Sequence, residues 1–102
     1  MSPTYIRDLP GLGEKSEQSL ALVGITDVEQ LRSCGAVMAF YRLQQLAAAE
    51  GRAKPSLNFL YALVGGLSNR SWLAVDQSER EQLLMELEGI SEMERMFQTD
   101  SE

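Results

Sequence analysis

Directly after Leu9-Pro10, the glycines Gly11 and Gly13 flank a single apolar residue, Leu12, and a chain built this way reverses sharply. Glycine tolerates backbone angles closed to other residues, and the reversal delivers the chain to a helix start whose first N–H groups lack partners. A turn of this kind can hold a phosphate. The helix that follows is amphipathic: Leu20 and Val23, with Leu22 on the flank, turn to a core, while Lys15, Glu17 and Gln18 face water. Gly24 stands where a glycine ends a helix, and Ile25 supplies the apolar residue expected just beyond it. Thr26-Asp27-Val28-Glu29 fits a capping box, with Thr26 at the N-cap and Glu29 at the third helical position. Helices joined this closely pack on one another.

Upstream, Ser2-Pro3-Thr4 predicts a single helical turn through Tyr5 and Ile6, with Tyr5, Ile6 and Leu9 closing the edge of the core. Downstream, a second helix runs from Asp27 to about Ser33 with Val28 and Leu31 inward, and Cys34-Gly35 interrupts it. A third is expected from about Ala36 to Ala49, carrying Val37, Phe40, Tyr41, Leu43 and Leu46 on one face and ended by Gly51. Ser56 is placed to cap a fourth helix, Leu57 to about Leu67, which is apolar nearly all round and therefore belongs in the middle of a bundle. Within it, Gly65-Gly66 either admits a neighbouring helix or frays the end. Residues 68–71 read as a turn, Trp72-Leu73 as a large ring laid over helix ends, and Ser78-Glu79-Arg80-Glu81 as the capping box of a last helix. There Leu83, Leu87, Ile90, Met93 and Phe97 recur at steps of 4, 3, 3 and 4, approximating a coiled-coil seam. Gly89 and Ser91-Glu92-Met93-Glu94 are the places where that helix would break in two. Unbroken, its stripe either packs within its own core or meets a second copy of the chain or another protein.

No stretch alternates β-branched residues as a strand would. The predicted class is all-α, a compact bundle of five to six short helices. One domain is expected over residues 1–102, with an N-terminal turn at 1–8, a helical core at 9–73, a C-terminal helix at 76–97 and a tail at 98–102.

Composition narrows what such a bundle does. The 102 residues contain no histidine and one cysteine, which removes the usual general base, any internal disulfide and a thiolate zinc site. Cys34 is expected to be a small buried hydrophobe. The carboxylates fall at helix starts or on charged faces, where Glu79, Glu81, Glu86 and Glu88 read as a solvated surface. Catalysis, a cofactor, a metal and a small-molecule substrate are not expected. Net charge is −6, and it is unevenly spread. Residues 1–54 hold six basic and six acidic side chains, whereas residues 55–102 hold three basic and nine acidic. Because duplex binding draws on neutralised phosphates and released counterions, this balance disfavours an autonomous, tight DNA binder. No signal-peptide pattern opens the chain, and no apolar run approaches the roughly 20 residues that span a bilayer. A cytoplasmic location without membrane contact is expected.

The Leu9-Pro10-Gly11-Leu12-Gly13 turn resembles the hairpin of helix-hairpin-helix units. From Leu9 to about Leu87 the chain further resembles the C-terminal domain of the TfoX/Sxy family of bacterial competence regulators. The residues that carry the likeness are the turn with Glu14-Lys15-Ser16-Glu17, then Val23-Gly24-Ile25-Thr26-Asp27-Val28-Glu29-Gln30-Leu31, then Gly35-Ala36-Val37, Ser56-Leu57-Asn58-Phe59-Leu60-Tyr61-Ala62-Leu63 and Trp72. The likeness implies control of competence genes through contact with another regulator, with the cyclic-AMP receptor protein as an associate. If the turn works as helix-hairpin-helix units do, N–H groups around Gly11 and Gly13 would hold a phosphate, Lys15 adding a charge and Ser16 a hydroxyl. Such contacts read the DNA backbone and no sequence. Glu14 and Glu17 flank the turn and raise the cost of a phosphate's approach, Glu17 standing where many DNA-binding versions carry a small residue. The other reading makes residues 10–13 a packing turn and Leu12 a core anchor.

The expected function is therefore a non-enzymatic protein-interaction domain. Its partner would be a transcription regulator or a second copy, met through Leu83, Leu87, Ile90, Met93 and Phe97. The alternative is weak, sequence-independent DNA binding through Gly11, Gly13, Lys15 and Ser16. The full regulators look two-domain, so the chain is either a piece of a longer protein or a stand-alone member.

Overall fold

A computed structural model describes residues 4–100, apart from the side chains of Trp72 and of residues 97–100. A single 3₁₀ turn at Ile6–Asp8 leads into α1 (Glu14–Ala21), α2 (Val28–Cys34), α3 (Ala36–Glu50), α4 (Leu57–Ser68) and α5 (Trp72–Asp100). No strand occurs among the described residues, and the all-α expectation holds.

The first helices stop where their glycines stand. At the end of α1 the Ile25 N–H donates to the Leu20 carbonyl at 3.0 Å and the Gly24 N–H to that of Ala21 at 3.1 Å, with Gly24 at φ +82, the paired bonds of a Schellman ending. The cap of α2 lies one residue later than expected. Asp27, not Thr26, is the N-cap, its Oδ1 accepting from the Gln30 N–H at 2.8 Å. Gln30, not Glu29, reaches back, its Oε1 accepting from the Thr26 N–H at 2.7 Å and from the Thr26 hydroxyl at 2.9 Å. With Asp27 in the capping position, Val28 opens the helix and is buried. The Val28 N–H is taken by the Thr4 carbonyl at 3.1 Å, tying the N-terminal segment to this corner.

Two further caps differ from expectation. Ser56 precedes α4 but makes no side-chain capping bond. Ser78 caps nothing, because α5 already begins at Trp72. Ser71 serves there, its hydroxyl accepting from the Ala74 N–H at 3.2 Å, while Ser78 sits mid-helix with its hydroxyl donating to the Ala74 carbonyl at 2.7 Å. Asn69 at φ +58 ends α4, and the Arg70 N–H closes onto the Gly65 carbonyl at 2.8 Å. Arg70 then reaches α5 through an ion pair with Glu79. Neither Gly89 nor Ser91 interrupts α5, which runs as one helix of 29 residues.

Phe40, Ile6, Leu20, Leu31, Leu60, Leu63 and Val75 are fully buried at the centre, each burial stabilising by about 1.5–3 kcal/mol relative to exposure. As its pattern predicts, α4 lies between neighbours, packing on both α3 and α5. Ile6 and Leu9 join the core as expected, but Tyr5 does not: it is 54% exposed with the Arg7 guanidinium over its ring, 4.8 Å from the centroid. A 3₁₀ turn that begins at Ile6 directs that residue inward and leaves its predecessor outside. The Ser2-Pro3 start and the ring of Trp72 lie outside the described residues.

The helices differ in length, and that difference shapes the molecule. At 1.5 Å per residue α4 is about 18 Å long and α5 about 43 Å, within an envelope of 48 × 28 × 24 Å. The partner α4 therefore covers only part of α5.

Candidate functional site

The turn and the far half of α5 are the regions that sequence singles out. At the turn, Leu9 and Leu12 are joined by a bond from the Leu12 N–H to the Leu9 carbonyl at 3.1 Å, with Pro10 and Gly11 (φ +78) between them. Proline followed by a residue at positive φ is the pattern of a type II turn, and only glycine enters that second position without steric cost. Gly13 has extended backbone and is the N-cap of α1, without a side chain to cap it. The first intrahelical bond runs from the Glu17 N–H to the Gly13 carbonyl at 3.0 Å, so the N–H groups of Glu14, Lys15 and Ser16 have no partner within the helix. Gly11, Gly13 and Lys15 are exposed and Ser16 is half-buried.

The same turn is also a buttress. Leu9 and Leu12 are buried, and they press on α4 at Gly66, where an added Cβ would stand 3.2 Å from Leu12 Cδ1, 3.2 Å from the Pro10 carbonyl oxygen and 3.4 Å from Leu9 Cβ. That contact explains the second of the paired glycines. Glu17 is drawn away from the helix start: its carboxylate accepts from the Arg7 N–H at 3.2 Å and pairs with the Arg7 guanidinium at 3.5 Å. Partly exposed as it is, the ion pair is worth at most about 1 kcal/mol. Its consequence is positional, since it fastens the 3₁₀ turn to α1.

Along α5 the predicted stripe passes from core to water. Leu83 is buried, Leu87 and Ile90 are half-buried, and Met93 is 59% exposed. Phe97's side chain lies outside the described residues. Met96, off the predicted stripe, is 65% exposed as well. Sequence reasoning missed what stands opposite. Cys34, Val37 and Met38, at the corner between α2 and α3, face Ile90 and Met93 across an apolar groove of about 790 Å³. Cys34 is accordingly half-buried rather than enclosed. The local signal was Gly35, whose φ of +90 turns the chain between two helices, but nothing local says which helix passes that corner.

Among the described residues no cluster of three or more metal-ligating side chains occurs, and no helix is long and apolar enough to cross a membrane.

Comparison with known proteins places residues 2–87, and so the turn but not the far end of α5, in a family. The family model described as the TfoX C-terminal domain matches residues 2–87. Among curated proteins, the DNA transformation protein TfoX of Haemophilus influenzae is 37% identical over 82 residues, which are 80% of this chain and 36% of that protein. The chain thus spans about a third of the length of the curated relative it matches. No solved structure matches it.

Proposed function

The chain belongs to the TfoX C-terminal domain family, and from that premise we propose that it is a non-enzymatic protein-interaction domain acting in the regulation of competence and transcription. The observation that carries this reading is the far half of α5, where Ile90 is half-buried and Met93 and Met96 are 59% and 65% exposed. An apolar edge of that kind, bordered by charged residues, is a mark of a surface that meets another protein. The charge balance supports it too, since the half of the chain that holds this edge is acidic and repels phosphate.

A photo-crosslinking residue at position 93, in the chain expressed in its cell of origin, tests the reading. Covalent capture of a protein at 93, with none from the same residue at position 15, is the expected result. Capture at neither position would count against it.

A second reading, weak sequence-independent duplex binding, is supported by the uncapped N-terminus of α1 beside exposed Lys15 and by the withdrawal of Glu17 to Arg7. Fluorescence anisotropy of a labelled duplex over a salt series separates the two. Binding that falls steeply with salt and vanishes in Lys15→Glu, with helicity unchanged, would favour DNA. The interaction reading expects no such binding.

A further inference from the structure

The groove between the α2–α3 corner and α5 is an apolar surface that the molecule's own packing leaves unfilled. Cys34 and Val37 line one side, Ile90 and Met93 the other, and Glu86 is the charged group on its wall. Gly89 also lies on the α5 side, and a Cβ built there would meet nothing within 4 Å, so the backbone of α5 is open to close approach. We propose that this groove receives one amphipathic helix of a partner protein, its apolar stripe entering between Val37 and Met93 and its flanks bearing Lys and Arg. This rests on the protein-interaction reading and specifies the chemistry of the partner.

Charge selects the occupant. Between residues 76 and 96, α5 carries seven carboxylates. Asp76, Glu79 and Glu92 are paired with Arg80, Arg70 and Arg95, which leaves a surplus of negative charge along the helix, with Glu86 on the groove wall. A helix laid along it gains from basic flanks and loses from acidic ones, which sets both encounter rate and register. The same charge disfavours a second copy, because a symmetric pair would place two such helices side by side. Heptad spacing disfavours it further. The stripe reaches Met93 from Ile90 by a second step of three, where a regular heptad takes four and arrives at Glu94, so a regular coiled-coil dimer would bring identical carboxylates together at its centre. An apolar stripe inserted in a groove between helices is an established way for one protein to hold a segment of another.

Cys34, the one thiol of the chain, reports occupancy directly. The probes are two synthetic helices of about 18 residues, five turns, with the same leucine face, one flanked by lysines and one by glutamates. At a concentration ten times its Kd, the leucine–lysine helix is expected to slow alkylation of Cys34 by a maleimide about tenfold, as simple occupancy requires. The leucine–glutamate helix is expected to leave the rate unchanged. Met93→Lys should weaken binding of the leucine–lysine helix about tenfold or more, the scale of a buried anchor. Met85→Lys adds the same charge at an exposed position that does not line the groove, and should change binding little.

Equal binding of both helices, equal effects of the two substitutions, or a concentration-dependent dimer that protects Cys34 without added peptide would each overturn the proposal. A protein captured in cells by the native chain and by Met93→Lys alike would leave the interaction reading standing and remove this groove from it. Loss of all capture from both would remove the two together.

Discussion

Gly66 shows how much of this molecule turns on single atoms. Its missing Cβ makes room for Leu12 and for the carbonyl of Pro10, so the turn rests directly on the backbone of α4. Gly66→Ala gains helix propensity but forces the turn outward, and a net loss of about 1 kcal/mol is expected in urea unfolding. Gly89→Ala meets no neighbour and should raise stability by about 0.5–1 kcal/mol in the same measurement. The cap of α2 gives a second residue-scale contrast. Asp27→Ala removes the bond to the Gln30 N–H and should cost about 1 kcal/mol, whereas Glu29→Ala should change stability by less than about 0.5 kcal/mol. The opposite order would restore the box expected from sequence. That box was legible only to within a residue, because Thr26 and Asp27 are both good caps and stand side by side.

Among the elements, α5 carries the sharpest lesson. Its apolar spacing announced a helix, yet not where it starts: the pattern pointed to Ser78 as the cap, whereas the helix opens at Trp72 behind Ser71 once the chain has left α4 at Asn69. Ser71→Ala should cost about 1 kcal/mol. Ser78→Ala, at a helical position whose hydroxyl merely turns back on its own backbone, should be neutral or gain a few tenths of a kcal/mol, roughly the difference in helix propensity. Burial along the helix predicts a gradient as well. Leu83→Ala, in the core, should cost about 2–5 kcal/mol, and Met93→Ala less than about 0.5 kcal/mol. Chemical denaturation of the two variants side by side checks whether the stripe changes from core to surface between those positions.

For the molecule as a whole, the balance of neutral and acidic halves and the length of α5 act together. The bundle buries its centre with the residues up to Leu83 and Leu87, and the family match ends at residue 87. A chain cut after residue 88 is therefore expected to keep its helical fold, losing at most about 2 kcal/mol for the half-buried Ile90, while losing the groove. Circular dichroism on heating reads the first; the alkylation rate of Cys34 with the leucine–lysine helix reads the second. Unfolding of the shortened chain at room temperature would mean that the far half of α5 is core and not surface.

What sequence alone determined is the set of helices and most of their ends. Apolar residues at helical spacing, glycines at 11, 24, 35 and 51, and the absence of alternation settle those matters among neighbours four or five residues apart, where backbone sterics and capping bonds act. Tertiary structure decided what rests on residues distant in the chain: Gly66 pressed by Leu12, Glu17 drawn to Arg7, and Cys34 and Val37 brought opposite Ile90 and Met93. The candidate groove belongs to this second group. It lies where the α2–α3 corner and α5 come together beside Val64 of α4, and no local pattern in one of these elements records the place of the others.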